Sequence, residues 1–194
     1  MAKAGCLGKS EGGSWRRVIA GHGRAGIAWR GTRLGAMCGI CGIVSARGPA
    51  DPDRLASMSA KLLHRGPDSD GVFVEGPVAL AARRLAIIDL ETGDQPIANE
   101  DGTVHVVQNG ELYNYPELRG ELERAGHRFR THGDTEVLVH LYEQEGPGFV
   151  RRLRGMFAVA LWDSRRRRLV LARDAFGIKP LYYSTEGGLS LIHI

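Results

Sequence analysis

Met37-Cys38-Gly39-Ile40-Cys41-Gly42-Ile43-Val44 is the stretch from which the rest of the chain can be read. From Ile40 to Ser45 it is short and apolar, the composition of a strand. Successive side chains of a strand point to opposite faces, so Cys38 and Cys41, three apart, are expected on opposite sides. That geometry works against a metal chelate or a dithiol pair, and the sequence has no second Cys pair or closely spaced His pair to complete one. No metal ligand is therefore assigned. Cys38 directly follows Met37, and a small residue there normally permits removal of an initiator methionine, leaving a cysteine with a free α-amine. An α-amine titrates at about 7.7–8.0, near working pH, so it can take the thiol proton and later return it to a leaving group. One residue then supplies nucleophile and base. Met-Cys alone carries little weight, since a Cys in an apolar strand is usually packing.

Working outward, Asp51-Pro52 reads as a capping carboxylate followed by proline at the first helical position. Leu55, Met58 and Leu62 recur on one helical face, and the helix is expected to stop at His64-Arg65-Gly66-Pro67. Val72–Glu75 and Val78–Ala82 predict two strands joined at Gly76-Pro77, with apolar material continuing from Leu85 to Leu90. Val104–Gln108 predicts a strand ending at Asn109-Gly110. Asn114 and Glu117 have capping-box spacing for a helix closed by Gly126. Asp134 is expected to cap a further helix through Glu143. Met156–Trp162 and Leu169–Ala172 predict a hairpin, and Leu181–Ser184 one more strand. Strands outnumber helices and pair mostly as hairpins, so the class is α+β with a largely antiparallel sheet.

At 194 residues, with 43% hydrophobic and 25% charged residues, the chain is one ordinary domain. No apolar run approaches the roughly 18 residues of a membrane span, so a soluble protein without membrane contact is expected. Residues 1–36 hold seven Lys or Arg against Glu11, a net +6, whereas the remaining 19 basic and 21 acidic residues net −2. The basic character thus belongs to the front segment, and the Arg165–Arg168 run reads as a solvated hairpin tip, so nucleic acid is not an expected partner. Residues 1–36 are Gly-rich, sustain no strand or helix periodicity and lack a secretory core; they read as a disordered extension, a mis-assigned start or a propeptide. Residues 190–194 read as a foreign or truncated tail after a domain spanning 37–189. Three cysteines with no disulfide framework suit the cytoplasm.

Six motifs fall in order: Met37–Val44, His64-Arg65-Gly66-Pro67-Asp68, Arg84-Leu85-Ala86-Ile87-Ile88-Asp89, Asn109-Gly110-Glu111-Leu112-Tyr113-Asn114, Gly133-Asp134-Thr135-Glu136 and Arg173-Asp174-Ala175-Phe176-Gly177-Ile178-Lys179-Pro180-Leu181. Together they resemble the amino-terminal glutaminase domain of glutamine-hydrolysing asparagine synthetases, over residues 37 to about 189. The resemblance implies the four-layer αββα sandwich of N-terminal nucleophile hydrolases, with Cys38 as nucleophile. By that resemblance, the Asn109 side chain and the Gly110 backbone N–H form an oxyanion hole, although Asn109-Gly110 is also a good type I′ turn. Arg84 would grip the α-carboxylate of glutamine, its bland alternative being a surface charge beside Arg83. Asp134, with Glu111 beside it, would bind the α-ammonium, and backbone around Ile87 and Ile88 would line the pocket. His64–Pro67 and Arg173–Leu181 receive no chemical role, and Ala175 stands where the family has a basic residue.

The expected reaction is hydrolysis of glutamine to glutamate and ammonia through a Cys38 thioester, with no cofactor for this half. The resemblance implies ammonia use by a carboxyl-terminal synthetase domain that needs ATP and Mg and makes asparagine from aspartate. A homodimer is left open. Two rival readings are a non-catalytic, amidotransferase-like binding module, and an amidotransferase serving another acceptor.

Overall fold

A computed structural model describes residues 3–9, 15–18, 37–185 and 189–193. The strands are β1 (Lys3–Lys9), β2 (Trp15–Val18), β3 (Gly39–Ser45), β4 (Ser69–Glu75), β5 (Val78–Arg84), β6 (Ile97–Ala98), β7 (Val104–Leu112), β8 (Gly155–Asp163), β9 (Arg168–Arg173), β10 (Tyr182–Ser184) and β11 (Leu189–His193). Among the described residues the helices are α1 (Pro52–Ala60), α2 (Tyr115–Arg124) and α3 (Glu136–Glu145), and a 3₁₀ turn at Gly146–Arg152 follows α3.

Strand alternation sorts the side chains into layers. Ile40 and Val44 of β3 and Val78, Leu80 and Ala82 of β5 pack against Val107, Ala158, Ala160, Trp162, Leu169 and Leu171 of the other sheet. The intervening residues Cys41, Ile43, Ala79 and Ala81 face the opposite way, onto Leu55 of α1 and onto Leu62. On the far side, Val104, Val106, Phe157, Val159 and Leu161 pack under Leu118, Leu122, Leu138, Leu141 and Phe149 of α2, α3 and the 3₁₀ turn. The result is the expected four-layer αββα sandwich. Its six-stranded sheet runs β2-β1-β9-β8-β7-β6 and its five-stranded sheet β10-β11-β3-β5-β4. The pairings of both are antiparallel.

Most element expectations hold, and the departures have local causes. α1 begins as expected, with Asp51 Oδ1 accepting from the backbone N–H of Asp53 and Arg54 at 3.0 and 3.1 Å. At α2 the Asn114 side chain does not cap; it donates to the Arg152 carbonyl and accepts from the Arg154 N–H, tying the helix start to the approach to β8. Asp134 does not cap α3 either; Thr135 stands at that position and Asp134 turns inward. Asn109-Gly110 is not a hairpin turn, because β7 runs on through both to Leu112, opposite Gly155. The regular structure absent from the sequence reading of the first 36 residues is present at Lys3–Lys9, where β1 pairs with β9, and at Trp15–Val18. Ladder hydrogen bonds need only backbone, so a segment with no side-chain periodicity can still cover an open strand edge. The tail residues 190–193 likewise belong to β11, between β10 and β3; the remaining residues of both segments lie outside the described ones.

Candidate active site

The ends of β3, β5 and β7 meet the loops after β5 and before α3 around a cleft of about 130 Å³. Parity along the strands decides who enters it. Cys38 precedes β3 in phase with Ile40 and Val44, hence on the intersheet side, and Cys41 faces α1. Burial pushes the Cys41 thiol up to about 11, with Arg83 opposing weakly, so it is an inert packing residue. The Cys38 sulfur lies 3.4 Å from the Leu85 N–H and 3.5 Å from the Leu85 carbonyl.

The loop carrying Leu85 is held by the His64–Asp68 segment. Asp68 accepts from the Ala86 N–H at 2.9 Å, and its own N–H donates to the Arg84 carbonyl at 3.1 Å. A side chain at Gly66 would overlap the Arg83–Arg84 backbone, so glycine there permits the close approach. Arg65, given no chemistry from sequence, donates from Nε to the Cys38 carbonyl at 3.2 Å. Its neighbour in sequence logic is Lys179, also set aside: it is buried, lines the cleft, and its Nζ lies 2.8 Å from Met37 Sδ. Burial, then the charge of Arg65, hold the Lys179 ammonium below its ordinary value. A motif position was the available signal for both; what hid them was that a helix stop and a turn already accounted for their segments.

On β7, Asn109 follows Val107 onto the intersheet face, and it is fully buried. Neither its side-chain oxygen nor its nitrogen has a hydrogen-bond partner. Buried amides are rarely left so, because an unpaired buried polar group costs about 1–3 kcal/mol. Gly110 adopts φ 142°, and a Cβ there would overlap the Met156 carbonyl oxygen and lie 2.7 Å from Phe157 Cα. Glycine is thus required, and the main chain at this point borders the cleft uncovered by any side chain.

Arg83 and Arg84 diverge by the same parity. Arg83 faces α1, donating to Ser59 Oγ at 3.1 Å and pairing with Asp70 at 3.2 Å. Arg84 is buried, and the surface-charge alternative is overturned for it. Its guanidinium donates to the Ile88 carbonyl at 2.8 Å, to the Asp89 carbonyl, and to Asp94 at 3.1 Å. Ile87 and Ile88 line the cleft beside it, as do Glu111 and Asp134. Asp134 accepts from the Leu112 N–H at 2.8 Å and from Gln108 Nε2 at 3.0 Å. Burial, aided by the charge of Glu111, raises its pKa despite those two donors. A buried carboxylate so placed gains by meeting a cation. One cleft therefore gathers a thiol, unpaired amide groups, a guanidinium and two carboxylates, the complement of a zwitterionic amino acid whose side chain reaches the thiol.

A four-layer sandwich with a cysteine at the head of a core strand is the architecture of N-terminal nucleophile amidotransferases. A family description for glutamine amidotransferase domains matches residues 37–192, and the chain belongs to that family. Among curated relatives, asparagine synthetase [glutamine-hydrolyzing] 2 of Bacillus subtilis is 45% identical over 152 residues, 76% of this chain and 20% of that protein. The Sandersonia aurantiaca asparagine synthetase [glutamine-hydrolyzing] is 48% identical over 148 residues, 74% of this chain and 28% of that protein. The chain thus spans between a fifth and a third of the length of these relatives. Glutamine phosphoribosylpyrophosphate amidotransferase from B. subtilis superposes with a TM-score of 0.63 at 21% identity, over 80% of this chain and 41% of that one. At that identity the likeness speaks for the fold alone. Among the described residues no helix is long and apolar enough to cross a membrane.

Proposed function

We propose that the domain spanning residues 37–189 hydrolyses glutamine to glutamate and ammonia through a thioester on Cys38. The observation that carries the reading is the pairing of Cys38 with the partnerless amide of Asn109 in a cleft that also holds Arg84, Glu111 and Asp134. The sulfur attacks the amide carbon of glutamine, and the tetrahedral oxyanion is met by the Asn109 Nδ2 and the Gly110 N–H. Such a donor is typically worth about 3–4 kcal/mol. The carbon–nitrogen bond breaks and ammonia leaves with a proton supplied by the α-amine of Cys38. Water then cleaves the sulfur–carbon bond, releasing glutamate and the free thiol. Arg84 binds the α-carboxylate and Asp134, with Glu111, the α-ammonium. This half of the chemistry calls for no cofactor.

The relatives' names, asparagine synthetase [glutamine-hydrolyzing], support a further step in which the ammonia is used to make asparagine; we infer that this takes place in the cytoplasm on a carboxyl-terminal domain that uses ATP and Mg and takes aspartate as acceptor. The terminal-amine mechanism requires that the working protein begin at Cys38, either because translation starts at Met37 and that methionine is removed or because residues 1–37 are cleaved as a propeptide. Met37 lines the same cleft, so a peptide on the Cys38 nitrogen both abolishes its basicity and takes up substrate space.

The test measures glutaminase rate beside intact mass and amino-terminal sequence. Cys38→Ala should abolish hydrolysis, and Cys41→Ala, which alters only packing, should keep most of it. Equal rates in the wild type and Cys38→Ala would sink the mechanism. Full activity in protein proven to retain residues 1–36 would refute the amine as base. A chain that binds glutamine but never turns it over, even when it begins at Cys38, would instead favour a non-catalytic binding module.

A further inference from the structure

The geometry points to a second site, remote in sequence from Cys38: a Zn²⁺ site formed by Glu100, His127, His140 and Glu143. One ligand atom from each lies within 4.8 Å of every other. Glu100 follows β6, His127 lies between α2 and α3, and His140 and Glu143 sit one turn apart on α3. From sequence there was no closely spaced His pair to suggest a metal; the fold makes the pair, with the two imidazole rings 4.7 Å apart.

The contacts have hydrogen-bond length without the ion and are close enough for one ion to draw the four groups together. His140 Nδ1 lies 3.2 Å from Glu100 Oε2 and 3.3 Å from Glu143 Oε2. His127 Nδ1 lies 3.2 Å from Glu100 Oε1 and 3.8 Å from Glu143 Oε2. A tetrahedral Zn²⁺ with bonds of about 2.0–2.1 Å sets its ligand atoms about 3.3 Å apart. Each Nδ1 faces two carboxylates, whereas a single N–H can be aimed at only one of them. A cation at the centre satisfies all four groups together.

The outer contacts hold the ligands in that arrangement. The His140 ring is wholly buried, and its Nε2 has no hydrogen-bond partner but lies 3.6 Å from Glu136 Oε1. Glu136 is fixed by the N–H groups of Arg130 and Thr131 and by the Thr131 hydroxyl. A proton on Nε2, directed at that carboxylate, leaves the Nδ1 lone pair for a metal, the usual carboxylate–histidine–metal relay. Asn99 Nδ2 donates to Glu143 Oε1 at 2.8 Å, and the Arg128 N–H to Glu100 Oε1 at 3.0 Å. Two imidazoles and two carboxylates suit Zn²⁺ better than Mg²⁺ or Ca²⁺, which prefer an all-oxygen shell. The ion would clamp the turn after β6 and the α2–α3 connection onto α3, which makes it a structural site.

The experiment titrates the full chain with zinc chloride against a chromophoric chelator. It is done in the Cys38→Ala background, so that the cleft thiol cannot bind the metal. One Zn²⁺ per chain at micromolar affinity or tighter is expected, with Tm rising by about 5 °C or more at saturation. Co²⁺ in its place should give the visible absorption of a four-coordinate ion. His127→Gln and Glu143→Gln, both partly exposed, should each weaken zinc at least 10-fold while the far-UV circular dichroism stays unchanged. Absence of one-to-one binding in the Cys38→Ala protein refutes the site whatever the variants do. So does undiminished affinity in both variants.

Discussion

Gln108 Nε2 and Asp134 Oδ2 lie 3.0 Å apart, joining β7 to the segment before α3 beneath the cleft floor. The bond orients Asp134 without removing its need for a positive partner, because burial and the charge of Glu111 still raise its pKa.

A raised carboxyl pKa has two consequences of fixed sign. The unliganded fold loses stability as pH rises from the unfolded aspartate value of about 3.9 to the higher folded value, since over that range the unfolded chain gives up this proton while the buried group holds it. Glutamine binding runs the other way, because only the ionised form attracts the α-ammonium. Glutamine affinity, measured by calorimetry in the non-hydrolysing Cys38→Ala protein, should therefore fall on the acid side at a pH above about 3.9, and Asp134→Asn should remove that limb. The same variant should raise KM about 10- to 100-fold, equivalent to about 1.4–2.8 kcal/mol, with a smaller effect on kcat. An acid limb unchanged by Asp134→Asn would show that another group controls binding.

Adjacent arginines provide an internal control. Arg84→Lys should weaken glutamine binding far more than Arg83→Lys, because a point ammonium cannot reproduce a two-pronged grip on a carboxylate. Arg83 pairs with Asp70 on the α1 face, where an ion pair with an exposed partner is worth about 0–1 kcal/mol. Comparing the two Michaelis constants decides the matter; equal values mean that Arg84 does not touch substrate.

Asn109 separates catalysis from stability. Its buried amide forms no hydrogen bond within the fold, so Asn109→Ala should lower unfolding free energy by no more than about 1 kcal/mol, since relief of the unpaired amide offsets the lost volume. Loss of the oxyanion donor should nevertheless lower kcat about 10²- to 10³-fold, with KM little changed. Urea unfolding and steady-state kinetics on the same preparation test both halves. A large loss of stability would mean that the amide is a structural group.

Periodicity and punctuation made much of the architecture legible in advance. Parity on the first core strand separated Cys38 from Cys41, Asp51-Pro52 marked α1, and Gly76-Pro77 marked the β4–β5 hairpin, because each is set by a few neighbouring residues. The order of six short motifs marked the family and the residues lining the cleft. Where side chains had two local uses, only the tertiary structure chose between them. Asn109-Gly110 could have been a turn, but β8 offered a full ladder through Leu112, and continuing the strand satisfied more backbone groups. Asp134 could have capped α3, but the Leu112 N–H and Gln108 drew it inward. Arg65 and Lys179 meet near Cys38 from segments that each had a sufficient local explanation. Glu100, His127, His140 and Glu143 span 44 residues and share no period, so their convergence was invisible until α3 packed across the six-stranded sheet. Local chemistry determined which elements form; long-range packing decided which of their polar side chains meet.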